Sequence, residues 1–390
     1  MYVLGISTHI SCGSAVLKDG EIIAAVNDER LVREKMVLGF PRVSINKVLR
    51  LAKVKASEID YVAVATRRQH HIERYLDYRQ GKFEYQRGIA KHIFFKTGAL
   101  LSKAVSRFGF LETLYYFLRR PFYAYRKWRV KRILSKEFKI NCPIEFMGHH
   151  FCHATSAYYS SGFQDATVIT LDSAGDGLCS QVYQVTNGQF KKLSQVKSFH
   201  SPCAFYSYVT QICGFQAGKH EGKITGLAAH GKPSYVNVLR MLIVHDQGTF
   251  KNVGGVFFWS ALAALRRLLP ENFLKEDLAC SIQAYCEEMV VAYVRHWVAI
   301  SGNSEVALAG GLFANVKINQ KIREISEVSK VHIHPGMSDE GIGVGAALGV
   351  YHSVVGTKTR SEVCMKHVYL GPEFSDEEVK TALETEGLCC

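Results

Sequence analysis

Apolar and polar residues alternate through three short runs at the start of the chain, YVLGIST, GSAVLKDG and EIIAAVN, with Asp19-Gly20 between the second and third. Period-two alternation interrupted by Asp-Gly predicts a β-meander. SINKVLRLAKV then takes helical spacing, and the apolar IDYVAVAT predicts a buried strand. A second meander is written in ATVITLD, CSQVYQVT and GQFKKLSQV, with Asp176-Gly177 and Asn187-Gly188 as turns. After it FYSYVTQICGF is helical, HEGKITGLAAHGKP is glycine-rich, and SIQAYCEEMVVAYVRHWVAI is a long amphipathic helix. SEVALAGGLFANVKINQKI predicts a strand, a Gly-Gly turn and a helix; KVHIHP predicts a strand, and SDEGIGVGAALGVYH a loop running into a helix. Two meanders, each followed by strand–helix units, predict two related α/β halves with a ligand cleft between them.

Composition leaves this picture intact: 390 residues, 47% apolar and 21% charged, belong to an ordinary globular chain of two or three domain-sized units. No apolar run approaches the ~20 residues that span a bilayer. The start, MYVLGISTHISCGSAVL, has neither the charged region nor the cleavage site of a signal peptide. Eleven irregularly spaced cysteines form neither a zinc framework nor a secreted disulfide scaffold, so a cytoplasmic setting is expected.

Charge changes the picture more. The net charge is +13, yet residues 67–139 hold nineteen Lys/Arg against five Asp/Glu, 19 − 5 = +14, leaving −1 for the rest. The same block holds sixteen of the forty-four aromatics, in helical stretches such as LETLYYFLRRPFYAYRKWRVKRILSKEF that break at Pro121. It predicts a basic, aromatic helical insertion in the first half. Such a surface suits RNA, an anionic lipid surface or an anionic glycan. A helical subdomain with an aromatic core and a solvated basic face is the simpler reading, because no RNA-binding motif is present.

His149 and His153 are four apart and would share a helix face, a spacing that can chelate one cation. With sixteen histidines, roughly 0.6 such pairs arise by chance, so carboxylates must complete the case. His150, between them, is easily mistaken for a ligand. Asp172 ends an apolar run at the mouth of a sheet, and reads equally as ligand or hairpin-turn residue. Asp176, before Gly177, fits the turn better. Asp339 reads as a ligand or, with Ser338, as the N-cap of the next helix. Gly310-Gly311 would let a ligand approach a helix N-terminus, and GSAV and GKITGLAAHG are phosphate loops or plain turns; no Walker or GxGxxG motif occurs.

In order, LGIS…H…SAVLKDGEIIAAVNDER…FP, HHFCHATSAYY, an Asp after a β-run, EGKITGLAAHG, GGLFANVKIN and SDEGIGVGAALG resemble the NodU/CmcH-type O-carbamoyltransferases, which include a tobramycin-modifying enzyme. The resemblance runs from residue 1 to about 380. It implies an α/β, actin-like, duplicated two-lobe fold related to sugar kinases, Hsp70 and the enzyme that makes threonylcarbamoyl-adenosine in tRNA. The expected layout is a first lobe of residues 1–66 and 140–175, the insertion at 67–139, and a second lobe at 176–355. A linker at 356–390 would lead into the truncated start of a YrdC-like domain, one strand and one short helix long.

The resemblance further implies a divalent metal, iron(II), held by His149, His153, Asp172 and Asp339. It also implies ATP or carbamoyladenylate along Gly310, Gly311 and Asn315, with Lys223 near the phosphates. His9 would be the catalytic base, although THISCGSAV lacks the family's His-Asp pair and looks more like the tRNA-modifying relatives. The implied reaction joins carbamoyl phosphate and ATP into carbamoyladenylate, then carbamoylates a hydroxyl acceptor such as a sugar, a glycan precursor or a natural product. The first step would fall to a YrdC-like domain or partner protein, so this chain is expected to be incomplete for the overall reaction. A kinase or ATPase of the same fold and a nucleotide-binding subunit for tRNA modification are the competing readings; a homo-oligomer is compatible with each.

Overall fold

The computed structural model describes residues 1–68, 114, 116–356, 365 and 367–388. In the first sheet, β1 (Tyr2–Ser7), β2 (Gly13–Lys18) and β3 (Glu21–Asn27) form the antiparallel meander, while β4 (Tyr61–Val64) and β5 (Ile144–Phe146) run parallel to β1, in the order β3-β2-β1-β4-β5. The second sheet repeats it. Strands β6 (Asp165–Gly175), β7 (Leu178–Thr186) and β8 (Gln189–Lys197) are the meander. A small hairpin follows, β9 (Val244–Asp246) with β10 (Thr249–Lys251), before β11 (Glu305–Ala309) and β12 (Lys330–Ile333), which are parallel to β6. The order β12-β11-β6-β7-β8 matches the first sheet strand for strand. This twice-repeated topology is the duplicated actin-like α/β architecture expected from the sequence.

Turn chemistry explains both meanders: Asp19-Gly20, Asp176-Gly177 and Asn187-Gly188 all take positive φ at both residues, the geometry that a tight hairpin demands.

Helices α1 (Arg42–Leu51) and α2 (Arg120–Glu137) cover the outer face of the first sheet, where Ile45, Val48, Val130, Ile133 and Leu134 meet Leu4, Ile6, Val62 and Val64. Between the sheets lie α3 (His149–Ser161), packed on Ala166, Val168 and Ala307 of the second sheet, and, from the far end of the chain, α8 (Ile342–Val355). Helix α8 packs on Val3, Ala15, Leu17 and Ala63 of the first sheet. Helices α4 (Pro202–Ile212), α5 (Glu221–Leu227), α6 (Lys275–Ser301) and α7 (Val316–Arg323) close the outer face of the second sheet, supplying Phe205, Ile224, Ile282 and Ile318 to the largest core. The result is five alternating layers. Glycine makes the middle layer thin: a side chain at Gly345 of α8 would collide with the Cys152 carbonyl of α3, and the Gly345 carbonyl instead accepts from Thr155 Oγ1 at 2.7 Å.

Three expectations are corrected. Residues 165–175 do not belong with the first lobe: β6 is the middle strand of the second sheet, because its register pairs it with β7 and β11. Conversely, α8 belongs by packing to the first sheet although it lies in the stretch assigned to the second lobe. The glycine-rich EGKITGL is helix α5 rather than a loop, its glycines standing where no neighbour lies within van der Waals contact of an added Cβ.

Most of the basic insertion, residues 69–113, lies outside the described residues, and its C-terminal part is α2. Pro121 sits in the first turn of α2, where its missing N–H costs no hydrogen bond. In the C-terminal stretch a helix over Asp376–Thr385 is present, with Ser375 in a capping box, while the expected strand reduces to one backbone bond from Ala25 to the Leu370 carbonyl.

Candidate functional site

Four chain segments meet where β1 and β6, the equivalent middle strands of the two sheets, reach their C-terminal ends. Alternation along β6 sends Ala166, Val168 and then Thr170 toward the middle layer, and Asp172 has the same parity. Helix α3 begins opposite it, and its 3.6-residue period stacks His149 over His153 one turn apart. The loop before α8 brings Asp339. It crosses the Gly310-Gly311 turn, where the Gly310 N–H donates to the Met337 carbonyl. Gly310 has φ +113°, and a side chain there would strike the Leu171 carbonyl, so only glycine admits this crossing.

His149, His153, Asp172 and Asp339 each offer one ligand atom, all within 4.8 Å of one another. His149 Nε2 lies 3.6 Å from Asp172 Oδ2 and 3.3 Å from Asp339 Oδ1. His153 Nε2 lies 3.5 and 3.6 Å from the same two oxygens. The two Nε2 atoms are 3.1 Å apart. Donor atoms about 2.0–2.2 Å from a common ion stand about 3.0–3.5 Å from each other, so the spacing is that of a coordination shell. Both imidazoles are fully buried, and the two carboxylates form the only partly open side of the cluster, with side chains 15% and 11% exposed.

The electrostatics agree. Burial opposes charge on His149, but Asp339 and Asp172 raise its pKa to about 10. Burial would raise both carboxyls, yet the imidazoles hold Asp172 well below the carboxylate range and Asp339 down to about 2. Asp339 Oδ1 is nonetheless a buried oxygen without a hydrogen-bond partner among the described residues. Two carboxylates and two imidazoles facing one point suit a borderline divalent cation, whose charge the acids neutralise. His149 Nδ1 and His153 Nδ1 have no partner among the described residues either, so packing orients the rings; Gly175 is pressed against the His149 imidazole and leaves no room for a side chain.

His150 is excluded from the set by its own bonds. Its Nε2 donates to the Leu178 carbonyl at 3.0 Å and its Nδ1 meets Thr170 Oγ1 at 2.9 Å. Burial and the neighbouring histidines push its pKa down to about 3, so it stays neutral.

His9, in the loop after β1, stands at the rim, its ring 4.7 Å from that of His149 and its Nδ1 3.9 Å from Asp339 Oδ2. Burial and His149 lower its pKa.

The competing readings of the two acids resolve locally. The N-cap of α8 is Gly341, without any side-chain cap, so neither Ser338 nor Asp339 serves that role. The turn residue of the β6–β7 hairpin is Asp176. Its carboxylate also accepts four hydrogen bonds, from Thr66 Oγ1 at 2.8 Å and from the backbone N–H groups of Arg67, Arg68 and His149 at 3.0, 2.8 and 2.9 Å. It thereby ties the end of β4 to the first residue of α3. Sequence reading saw the turn and missed the staple, because no local pattern points from Asp176 to Thr66.

The expected nucleotide residues divide. Gly311 lies beside Asp172 and Ser338. Asn315 caps α7, accepting from the N–H groups of Lys317 and Ile318, while its amide donates to Gln283 Oε1 at 2.7 Å. Lys223 is exposed on α5 with its Nζ 5.5 Å from the centre of the Phe215 ring.

A family model described as Carbamoyltransferase N-terminus matches residues 2–348. An uncharacterized protein of Synechocystis sp. is 28% identical over 98% of this chain and 62% of its own length. The nodulation protein NolNO of Sinorhizobium fredii is 27% identical over 97% of this chain and 51% of its own. The chain therefore spans less than two thirds of the length of these curated relatives. Among solved structures, (R)-2-hydroxyglutaryl-CoA dehydratase component A of Acidaminococcus fermentans aligns at 16% identity and a TM-score of 0.47, covering 91% of this chain and 100% of that one. The family match extends from the first strand into the helix that follows Asp339, and on that match the chain belongs to the carbamoyltransferase family.

Proposed function

We propose that this chain carries the group-transfer half of an O-carbamoyltransferase, passing a carbamoyl group from carbamoyladenylate to an acceptor hydroxyl in the cleft at the β1 and β6 ends. The convergence of His149, His153, Asp172 and Asp339 carries the reading. Those four residues would hold a divalent metal, iron(II) by the family resemblance. When bound, the metal supplies a fixed positive charge that polarises a carbonyl or phosphate oxygen of the substrate.

His9 faces this cluster, and burial and His149 shift its pKa downward, which favours the neutral imidazole required of a base. It accepts the proton of the acceptor hydroxyl as that oxygen attacks the carbamoyl carbon. The carbon–oxygen bond to the adenylate phosphate then breaks and AMP leaves with the electron pair, giving the carbamate ester. Gly310 and Gly311, whose turn lies against Leu171 and Asp172, would line the adenylate. The adenylate itself would form from carbamoyl phosphate and ATP in a YrdC-like domain or partner protein. Acceptors of the sugar, glycan-precursor or natural-product class fit the reaction.

The test is metal analysis of the purified protein beside the His149→Ala, His153→Ala double variant, with carbamoyl transfer followed when carbamoyladenylate is supplied by a YrdC-type partner. We expect near-stoichiometric metal and transfer in the parent and neither in the variant. Equal metal contents would remove the site. ADP release with no need for carbamoyl phosphate would point to a kinase or ATPase instead.

A further inference from the structure

Helix α2 has two faces of different character. Val130, Ile133 and Leu134 are buried in the core of the first sheet, so the helix cannot roll. On the outside, Phe122, Tyr125 and Trp128 are 44%, 55% and 51% exposed. Their three-residue spacing places them on one stripe, which Arg132 continues. Seven Lys/Arg stand against one acid within α2, and that acid, Glu137, is already paired with Arg42 at 2.8 Å. Large exposed rings held rigidly among cations mark an interaction surface.

The arrangement of the rings decides what kind. Arg126 lies 4.0 Å over the Phe122 ring, Arg132 lies 5.4 Å over Trp128, and Tyr125 stacks on Trp128 with centroids 5.9 Å apart. Binding of single-stranded nucleic acid needs open ring faces on which bases stack. Here each ring already turns a face to a guanidinium group or to its neighbour, so none stands free as a stacking platform on both sides. What remains outward is apolar ring bulk beside phosphate-seeking cations, the pairing that the headgroup region of a bilayer accommodates.

We propose that the outer face of α2 docks on an anionic phospholipid surface, Phe122, Tyr125 and Trp128 entering the headgroup zone while Arg126 and Arg132 meet the phosphates. The attachment is peripheral, since among the described residues no helix is long and apolar enough to cross a membrane.

The experiment is co-sedimentation of the full chain with vesicles of phosphatidylcholine alone or mixed with phosphatidylserine, at low and high salt. Binding to the mixed vesicles should exceed binding to phosphatidylcholine about tenfold and fall as salt screens the charges. The double variant Arg126→Gln, Arg132→Gln should lose about fivefold per cation removed. Tyr125→Ser with Trp128→Ser should lose about tenfold or more through the apolar contribution. A circular-dichroism melt matching the parent shows that each variant is folded. Three results would overturn the assignment: a parent chain that stays in the supernatant, folded variants that bind as it does, or tighter binding to polyuridylate than to vesicles.

Discussion

His149 Nε2 lies 3.3 Å from Asp339 Oδ1, although one residue opens α3 and the other sits in the loop before α8, nearly two hundred residues on. The pair joins the two sheets' middle layer at one point, and Asp172 and His153 complete the figure.

Metal loading should release a proton. Without an ion His149 has a pKa near 10 and is protonated at neutral pH, whereas a ligating imidazole must be neutral. Apparent affinity should therefore rise as pH rises toward 10, by about tenfold per unit while that proton is the one displaced. Calorimetric titration of the metal in buffers of different ionisation enthalpy measures the proton count. A pH-independent affinity would contradict it.

His150→Gln should separate structure from ligation. Both ring nitrogens of His150 are engaged by Thr170 and Leu178, so the variant should lose about 1–3 kcal/mol of stability while keeping the metal. Metal content and a denaturant melt on the same preparation distinguish it from His149→Ala.

Asp176→Asn should loosen the α3 start. Removing the charge weakens four hydrogen bonds and should cost about 1–3 kcal/mol, with weaker metal binding as His149 gains freedom. The folded pKa of Asp176 is near 2, below the ordinary carboxylate value of about 3.9. Its stabilisation is thus complete above about pH 4 and disappears as pH falls through the folded pKa near 2. The stability gap between parent and variant, measured by urea melts from pH 6 to 2, should narrow over that window.

Gly345→Ala should separate α3 from α8. The new methyl falls on the Cys152 carbonyl, and relieving it breaks the Thr155 bond to the Gly345 carbonyl. Overpacking of this kind costs about 1–3 kcal/mol, and here it also moves the histidines relative to Asp339. Thermal melts with metal analysis should show both losses together.

Much of this molecule was legible in one dimension. Period-two runs and Asp-Gly or Asn-Gly turns marked both meanders, the spacing of His149 and His153 marked a shared helix face, and the repeated order of elements marked a duplication. These features depend on neighbours within a few residues, so local pattern suffices to read them. The parity of Asp172 with Val168 was equally present in the sequence. Its significance was not, because alternation identifies a common face without saying what lies opposite.

Tertiary structure decided the rest. Asp339 and Asp172 each had a sound local role, helix cap and turn residue, and neither is used that way: α8 begins at Gly341 without a side-chain cap, and β6 runs on through Asp172 to turn at Asp176-Gly177. The glycines of GKITG read as a loop because propensity penalises glycine in helices, yet packing of Ile224 into the largest core outweighs that cost. Asp165–Gly175 passed to the second sheet because hydrogen-bond partners, not position in the chain, define a sheet. Local interactions choose the elements from the residues at hand; which distant side chains then share a point in space depends on contacts between segments far apart in sequence, and no single segment encodes them.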